Sequence, residues 1–417
     1  MRETTQPFLE ERESVATAWL DGGAEECGWY GSKVCAEIRG EDFDALDALD
    51  RAWRADPHAI WIGWLTYEFG RAREGAARLP GLCMRKYEDG VRLAPGEAPI
   101  PARSAIAQAD PSWWPFHALN AKTDPQRFRE LVANAKALIA AGDTYQVNLS
   151  QEFWAPFDAT IPRDGPGDAR WLREMAGRVF AALRARAPAS MGGLVQTEDA
   201  WIVSNSPERL LSVTRGRDGG PDVARSSPIK GTRRRWESAE ADAAAIKELR
   251  ACTKERAEHV MIVDLVRNDL GRSAAPGSVR ASSAPRVVTL PTVHHLVTDV
   301  ECDLRSGWTL RALVEAVFPG GSVTGAPKRR TMEIIDGLEQ GRREIYCGAL
   351  VVLHPDGLDM SIPIRTGMLD KDGLWLRSGG GIVADSDPER ERLETITKTL
   401  AFDPHRGPSP ISKRNDV

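Results

Sequence analysis

The chemistry in this sequence concentrates in one lysine and a few glutamates. Lys230 stands in Ser226-Ser227-Pro228-Ile229-Lys230-Gly231-Thr232-Arg233. Pro228 fixes its own φ and biases Ser227 toward extended backbone, while Gly231 allows a turn or a close approach. An amine attacks carbon only when unprotonated, and moving a lysine from about 10.4 to about 7.4 by burial costs roughly 4 kcal/mol. The residues leave two readings open: an aimed amine, or a surface turn whose lysine pairs with Glu237 or Asp222. Glu208 follows Ser204-Asn205-Ser206-Pro207, between two apolar stretches that read as strands. On the residues alone, its carboxyl is a salt-bridge partner of Arg209 or a neighbour.

Glu255 and Glu258 lie three apart in a stretch of helical length, Cys252 to Val266, and Glu391 and Glu394 repeat the spacing near the C-terminus. That spacing puts both carboxylates of a pair on one helix face. Two such pairs facing each other need a cation, and oxygen-only donors suit magnesium. On spacing alone, a solvated acidic face among arginines is the ordinary reading. The run Gly320-Gly321-Ser322-Val323-Thr324-Gly325-Ala326-Pro327-Lys328 lacks the Gly-Lys-Ser/Thr ending of a nucleotide loop, which excludes ATP on that motif.

Several elements must position these groups. Asp124 and Pro125 open a helix carrying Phe128, Leu131, Val132, Ala135, Leu138 and Ile139 on one face and stopping near Gly142. Asp143 to Ser150 alternates like a strand, and Ala59 to Leu65 reads as another. Ser386, Pro388 and Glu389 mark a helix start before Glu391. Ala94 to Pro111 reads as a linker, and Pro162 to Asp168 and Gly216 to Pro221 as exposed loops. Short strands interspersed with helices, without a repeated βαβ unit, indicate an α+β fold. The chain is read as residues 1–111, a region 112–403 that carries the candidate residues, and a tail 404–417.

The 417 residues carry a net charge of -5 and 28% charged side chains, with no basic stripe for nucleic acid. No run approaches the ~20 apolar residues of a membrane span, and the start is charged, so a cytosolic protein is expected. Six cysteines without a Cys-x-x-Cys pair read as reduced thiols.

From about Thr123 to Ala401 the chain resembles aminodeoxychorismate synthase component I, whose Pro-Ile-Lys-Gly-Thr signature is found at Pro228 to Thr232. These chorismate-utilising enzymes are related to anthranilate synthase component I and to isochorismate and salicylate synthases. Anthranilate synthases carry alanine where this chain has Lys230. The pattern Glu-His-x-Met-x-Val-Asp-Leu-x-Arg-Asn-Asp, here Glu258 to Asp269, is specific to the group. The resemblance implies two large antiparallel sheets packed across each other with helices outside, as in anthranilate synthase component I. It implies Lys230 as nucleophile, Glu208 as general acid or base, and magnesium held at Glu258 and Glu394 with Glu255 and Glu391 close by. Substrate binding falls to Gly231, Thr232, His295, Gly325, Tyr346, Arg365 and the turn Gly379-Gly380-Gly381. Gln146 stands where water-adding relatives place a lysine, so water is not the expected nucleophile. The implied reaction turns chorismate and ammonia into 4-amino-4-deoxychorismate through a lysine adduct at ring carbon 2, for 4-aminobenzoate and folate synthesis.

No cysteine sits in the Gly-x-Cys-x-Gly setting of a glutaminase. The expected partners are a separate glutamine amidotransferase supplying ammonia and a downstream pyridoxal-dependent lyase. The Leu-Leu-Glu-Ser stretch of tryptophan-regulated relatives is not found near Phe8-Leu9-Glu10-Glu11. The rival readings are an anthranilate synthase that tolerates Lys230 and an inactive scaffold that binds a glutaminase or an effector.

Overall fold

The computed structural model describes residues 9–10, 14–22, 26–73, 75–99, 109–110, 112–161, 169–289 and 293–406. The readings of Pro162 to Asp168 as a loop, of most of the linker Ala94 to Pro111, and of the tail beyond residue 406 lie outside these residues. Every strand pairing is antiparallel among the described residues, and helices pack outside the strands, giving an α+β fold. Nineteen of the described strands form one continuous hydrogen-bonded sheet and three form a second, smaller one. The long strand Gly28–Gly40 carries this continuity, pairing with four others and shifting register between Val34 and Ala36. Such a bulge bends a strand and lets it serve neighbours on different parts of a sheet.

The N-terminal strands share the large sheet with C-terminal ones. Ile60–Leu65, buried along its whole length, pairs with Ala349–His354. The helix Pro125–Ala140 starts as its residues dictate: Asp124 accepts from the N–H groups of Gln126 and Arg127, and Pro125 fills the first position. Phe128, Leu131, Val132 and Ala135 bury its apolar face against Val147, Leu149, Ile334, Ile335 and Ile382. The next strand begins later than expected and runs further, over Gln146–Pro156. Thr144 is drawn out of it by hydrogen bonds to the carbonyls of Gln146 and Ala326 and to the Thr331 hydroxyl. The helix near the C-terminus is capped by Asp387, not Ser386; the Ser386 hydroxyl instead donates to Glu391 at 2.6 Å. Gly216 to Pro221 is an exposed turn between paired strands, and the six cysteines are free thiols.

A buried ionic network braces the strand Gln146–Pro156 against the loop after Leu338. Arg343 and Glu339 pair at 2.7 Å with both side chains fully buried. Glu339 also accepts from Ser150 N at 2.6 Å and Arg377 at 3.3 Å, while Arg343 donates to the Asn148 and Val323 carbonyls. Burial opposes the charge, but Arg343 and then Arg377 hold the Glu339 carboxyl down to about 2. A depressed carboxyl stabilises the fold above its unfolded value, and that contribution is lost as pH falls toward 2. Arg343→Ala, which strands Glu339 as an uncompensated buried charge, is expected to cost about 3–5 kcal/mol in urea unfolding.

Candidate active site

Lys230 lies on the strand Ile229–Arg234, the edge of the three-stranded sheet, paired with Val293–Val297. The register shifts between Lys230 and Thr232 because Gly231 adopts φ 85°. A Cβ there would stand 2.4 Å from Glu255 Oε2, so only glycine lets the strand approach that carboxylate. Lys230 does not pair with Asp222, which accepts from the Trp308 indole at 2.7 Å and from Gly216 N at 2.9 Å, nor with the exposed Glu237. It keeps some accessible surface while protein encloses its side chain. Burial, then the nearby Lys398 ammonium, push its pKa below the usual lysine value, against the pull of Glu208, Glu258 and Glu394.

Glu208 sits where the chain leaves the strand Trp201–Ser206 and enters Arg209–Thr214. Its backbone is pinned on both sides: its N–H donates to Ser206 Oγ at 3.2 Å and its carbonyl accepts from Ile362 N at 2.9 Å. The residue is 5% exposed, and Oε1 is buried without a hydrogen-bond partner. Burial raises its pKa, partly offset by Ser322, Lys230 and the Ile229 N–H. Arg209 does not neutralise it, being engaged instead with Glu26 and, at 3.6 Å, Asp359. A carboxyl pushed toward its protonated form thus neighbours an amine pushed toward its neutral form. This is the arrangement that general acid and nucleophilic chemistry require together.

The helix Thr253–Gly271 supplies two of the glutamates. Ile262, Val266 and Leu270, four residues apart, bury one stripe in the core, and Glu258 continues that stripe one turn toward the N-terminus. Glu255 is ion-paired with Arg233 through Oε1, while its Oε2 is buried without a hydrogen-bond partner. From the helix Pro388–Thr397, Glu391 and Glu394 approach Gly380; the expected turn Gly379-Gly380-Gly381 is instead part of the strand Gly373–Ile382, paired with Ser150, Leu149 and Asn148. A Cβ at Gly380 would lie 3.2 Å from Glu391 Oε2 and 3.5 Å from Glu394 Oε1. Among the described residues, no group of three or more His, Cys, Asp or Glu side chains is gathered tightly enough to hold a metal ion. Arg233, Ser386 and Lys398 engage Glu255, Glu391 and Glu394 respectively. The donors nonetheless suit a hard divalent cation, being carboxylate oxygens only, with Glu255 Oε2 unpartnered inside the protein.

The remaining residues singled out in the sequence line the same region. Thr232 Oγ1 and His295 Nδ1 are 2.9 Å apart, and burial followed by the Arg365 charge holds His295 down to about 4, so its ring is neutral at pH 7. Arg365 adopts φ 50°, a left-handed conformation that costs a non-glycine residue about 1–2 kcal/mol. Burial alone lowers its pKa, with no carboxylate in ion-pair range among the described residues. The Tyr346 hydroxyl lies 2.9 Å from where Gly379 would carry a Cβ, and Gly381 faces Gln146 Nε2 at 2.8 Å by the same measure. Gln146 is 1% exposed with neither amide atom hydrogen-bonded. Gly325, at φ 143°, pairs with Val147 beside it, where a side chain would strike the Gln146 carbonyl.

Three contributors went unread in the sequence. Lys398 is ion-paired with Glu394 at 2.7 Å and donates to Gly379 O at 2.9 Å; its place four residues after Glu394 was the available signal. Ser322 and the Ile229 N–H, both hydrogen-bonded to Glu208, left none.

Residues 16–403 match the chorismate binding enzyme family. The chain is 40% identical over 274 residues to aminodeoxychorismate synthase component 1 of Salmonella typhimurium, covering 66% of this chain and 55% of that one. It is 43% identical over 278 residues to an anthranilate synthase component 1 of Haloarcula marismortui, covering 66% and 53%. The matched stretch thus spans about half the length of these relatives. Among solved structures, anthranilate synthase component I from Streptococcus pneumoniae superimposes with a TM-score of 0.69 at 24% identity, covering 96% of this chain and 95% of that one. The menaquinone-specific isochorismate synthase of Escherichia coli also gives 0.69, at 17% identity over 94% and 88%. Identity alone does not separate the first two of these relatives.

Proposed function

The chain belongs to the chorismate binding enzymes, and from that premise we propose that it converts chorismate and ammonia to 4-amino-4-deoxychorismate, the precursor of 4-aminobenzoate. The observation that carries the reading is the enclosed Lys230, of lowered pKa, beside the buried, partner-poor Glu208. In the proposed reaction, the Lys230 amine adds at ring carbon 2 while the ring double bonds shift. The carbon 4 hydroxyl leaves as water with the proton of Glu208. Ammonia then adds at carbon 4, the double bonds shift back, Lys230 departs, and the excess proton of the entering nitrogen returns to Glu208. The sum is chorismate plus ammonia giving 4-amino-4-deoxychorismate plus water, with the enolpyruvyl group retained.

Arg365 and the amides around Gly379 to Gly381 meet the carboxylates of the substrate. Glu258 and Glu394, with Glu255 and Glu391, would hold magnesium, which when bound anchors the ring carboxylate and spreads developing charge. Gln146 offers no base for water. Ammonia is supplied by a separate glutamine amidotransferase, and a pyridoxal-dependent lyase consumes the product. No helix among the described residues is long and apolar enough to cross a membrane.

The test is turnover of chorismate with magnesium and an ammonium salt, followed by a lyase that releases 4-aminobenzoate only from the 4-amino product. Anthranilate in its place would overturn the reading. Arg365→Gln, which removes a charge-assisted contact, is expected to raise KM for chorismate roughly ten- to a hundredfold, with a smaller change in kcat. Steady-state kinetics at saturating ammonium checks this.

A further inference from the structure

A second cavity, of about 180 Å³, has Tyr346 in its lining. It exceeds the ~150 Å³ that suffices to hold a benzene ring in an engineered protein core. Its lining carries four arginines, Arg78, Arg342, Arg343 and Arg377, against two carboxylates, Glu152 and Glu344. Arg343 and Arg377 are paired with the buried Glu339, which leaves Arg342 and Arg78 to Glu344 and Glu152. Glu344 is committed to the N–H groups of Arg78 and Leu79 at 2.9 and 3.3 Å. Glu152 is shared at long range among Arg78 and Lys122 at 3.4 Å and Arg377 at 3.9 Å.

Arg342 is the least satisfied group. Its side chain is 10% exposed, and its nearest carboxylate oxygen is 3.7 Å from Nε, which is buried without a hydrogen-bond partner. Among the described residues, its side chain hydrogen-bonds only the Arg73 carbonyl, from Nη1 at 3.3 Å. At the mouth, Arg78 lies over the Trp375 ring, 4.1 Å from its centroid, with part of its guanidinium in solvent. A deep, under-paired guanidinium with a second at the entrance matches the geometry of carboxylate recognition.

We infer that this cavity is a second ligand site, taking a small carboxylate of about benzoate size against Arg342 and Arg78, separate from the catalytic pocket but sharing its wall at Tyr346. The Tyr346 hydroxyl abuts Gly379, on the strand Gly373–Ile382, so this wall is the one the two pockets have in common. The test is calorimetric titration of the full chain with benzoate, with uncharged benzamide as control. Wild type is expected to bind benzoate and not benzamide. Arg342→Gln and the half-exposed Arg78→Gln should each weaken that binding tenfold or more. Arg365→Gln, at the catalytic pocket, should leave it unchanged, and Arg78→Gln should keep ammonia-dependent turnover. Absence of saturable benzoate binding overturns the inference, as does affinity lost in Arg365→Gln but intact in Arg78→Gln. The readout is binding, so it stands or falls independently of the proposed reaction.

Discussion

Replacing Lys230 by alanine is expected to abolish formation of 4-amino-4-deoxychorismate, lowering kcat by on the order of 10³-fold or more, as removal of a covalent nucleophile does elsewhere. The strand should survive the change, because its register is fixed by pairing of Ile229 with Val297 and of Thr232 with His295, not by the lysine side chain. Substrate binding should survive as well, since the groups proposed to hold carboxylates and metal lie on other elements. The informative readout is the product. With the amine gone, ammonia has access to carbon 2 itself, and any residual amination should appear there, giving the 2-amino regiochemistry. Chromatography of the products from chorismate, magnesium and ammonium separates the two. Unchanged 4-amino product from Lys230→Ala would remove the lysine from the mechanism.

Glu208→Gln is the second large effect. Glutamine keeps the size and the contacts to Ser322 and the Ile229 N–H but cannot give up a proton, so the hydroxyl would have to leave as hydroxide. A loss of about 10²–10⁴-fold in kcat is expected, the usual range for a positioned acid or base. The pH profile carries a sharper signature. The reaction requires Glu208 protonated and Lys230 neutral, so activity falls as pH rises past the raised Glu208 pKa and falls as pH drops past the lowered Lys230 pKa. The wild-type profile should therefore be bell-shaped, and Glu208→Gln should lose the basic limb assigned to the carboxyl. A profile of kcat/KM with that limb intact in the variant would assign it to another group.

Much of the local structure around these residues is legible in sequence because it depends on near neighbours. The bracketing of Lys230 by Pro228 and Gly231, and the three-residue spacing in each glutamate pair, stand for backbone constraints that hold in any context. The helix from Asp124 was readable for the same reason, its cap and first-turn proline being properties of two adjacent residues. What sequence could not supply was convergence. Whether Lys230 paired with Asp222 or entered a cleft depended on where Asp222 went, and that was fixed by Trp308, far along the chain. On spacing alone the acidic pairs read as solvated faces; for Glu255 and Glu258 it is the burial of Ile262, Val266 and Leu270 that sets which side of the helix turns inward. Lys398 was overlooked because an i,i+4 pair with Glu394 is common on surfaces; only its bond to the Gly379 carbonyl marks it as part of the site. The strand starts at Gln146 and not at Asp143 because Thr144, a good strand former, spends its hydroxyl on nearby carbonyls instead.

The covalent role of Lys230 is tested most directly by intact-protein mass spectrometry of the wild type quenched in acid after mixing with chorismate and magnesium, with ammonia withheld. Without the second nucleophile, the adduct should accumulate as a mass increase equal to chorismate less one water, map by proteolysis to the peptide containing Lys230, and disappear when ammonium is added. Unmodified protein throughout, in a preparation that forms 4-amino-4-deoxychorismate once ammonium is present, would contradict the account.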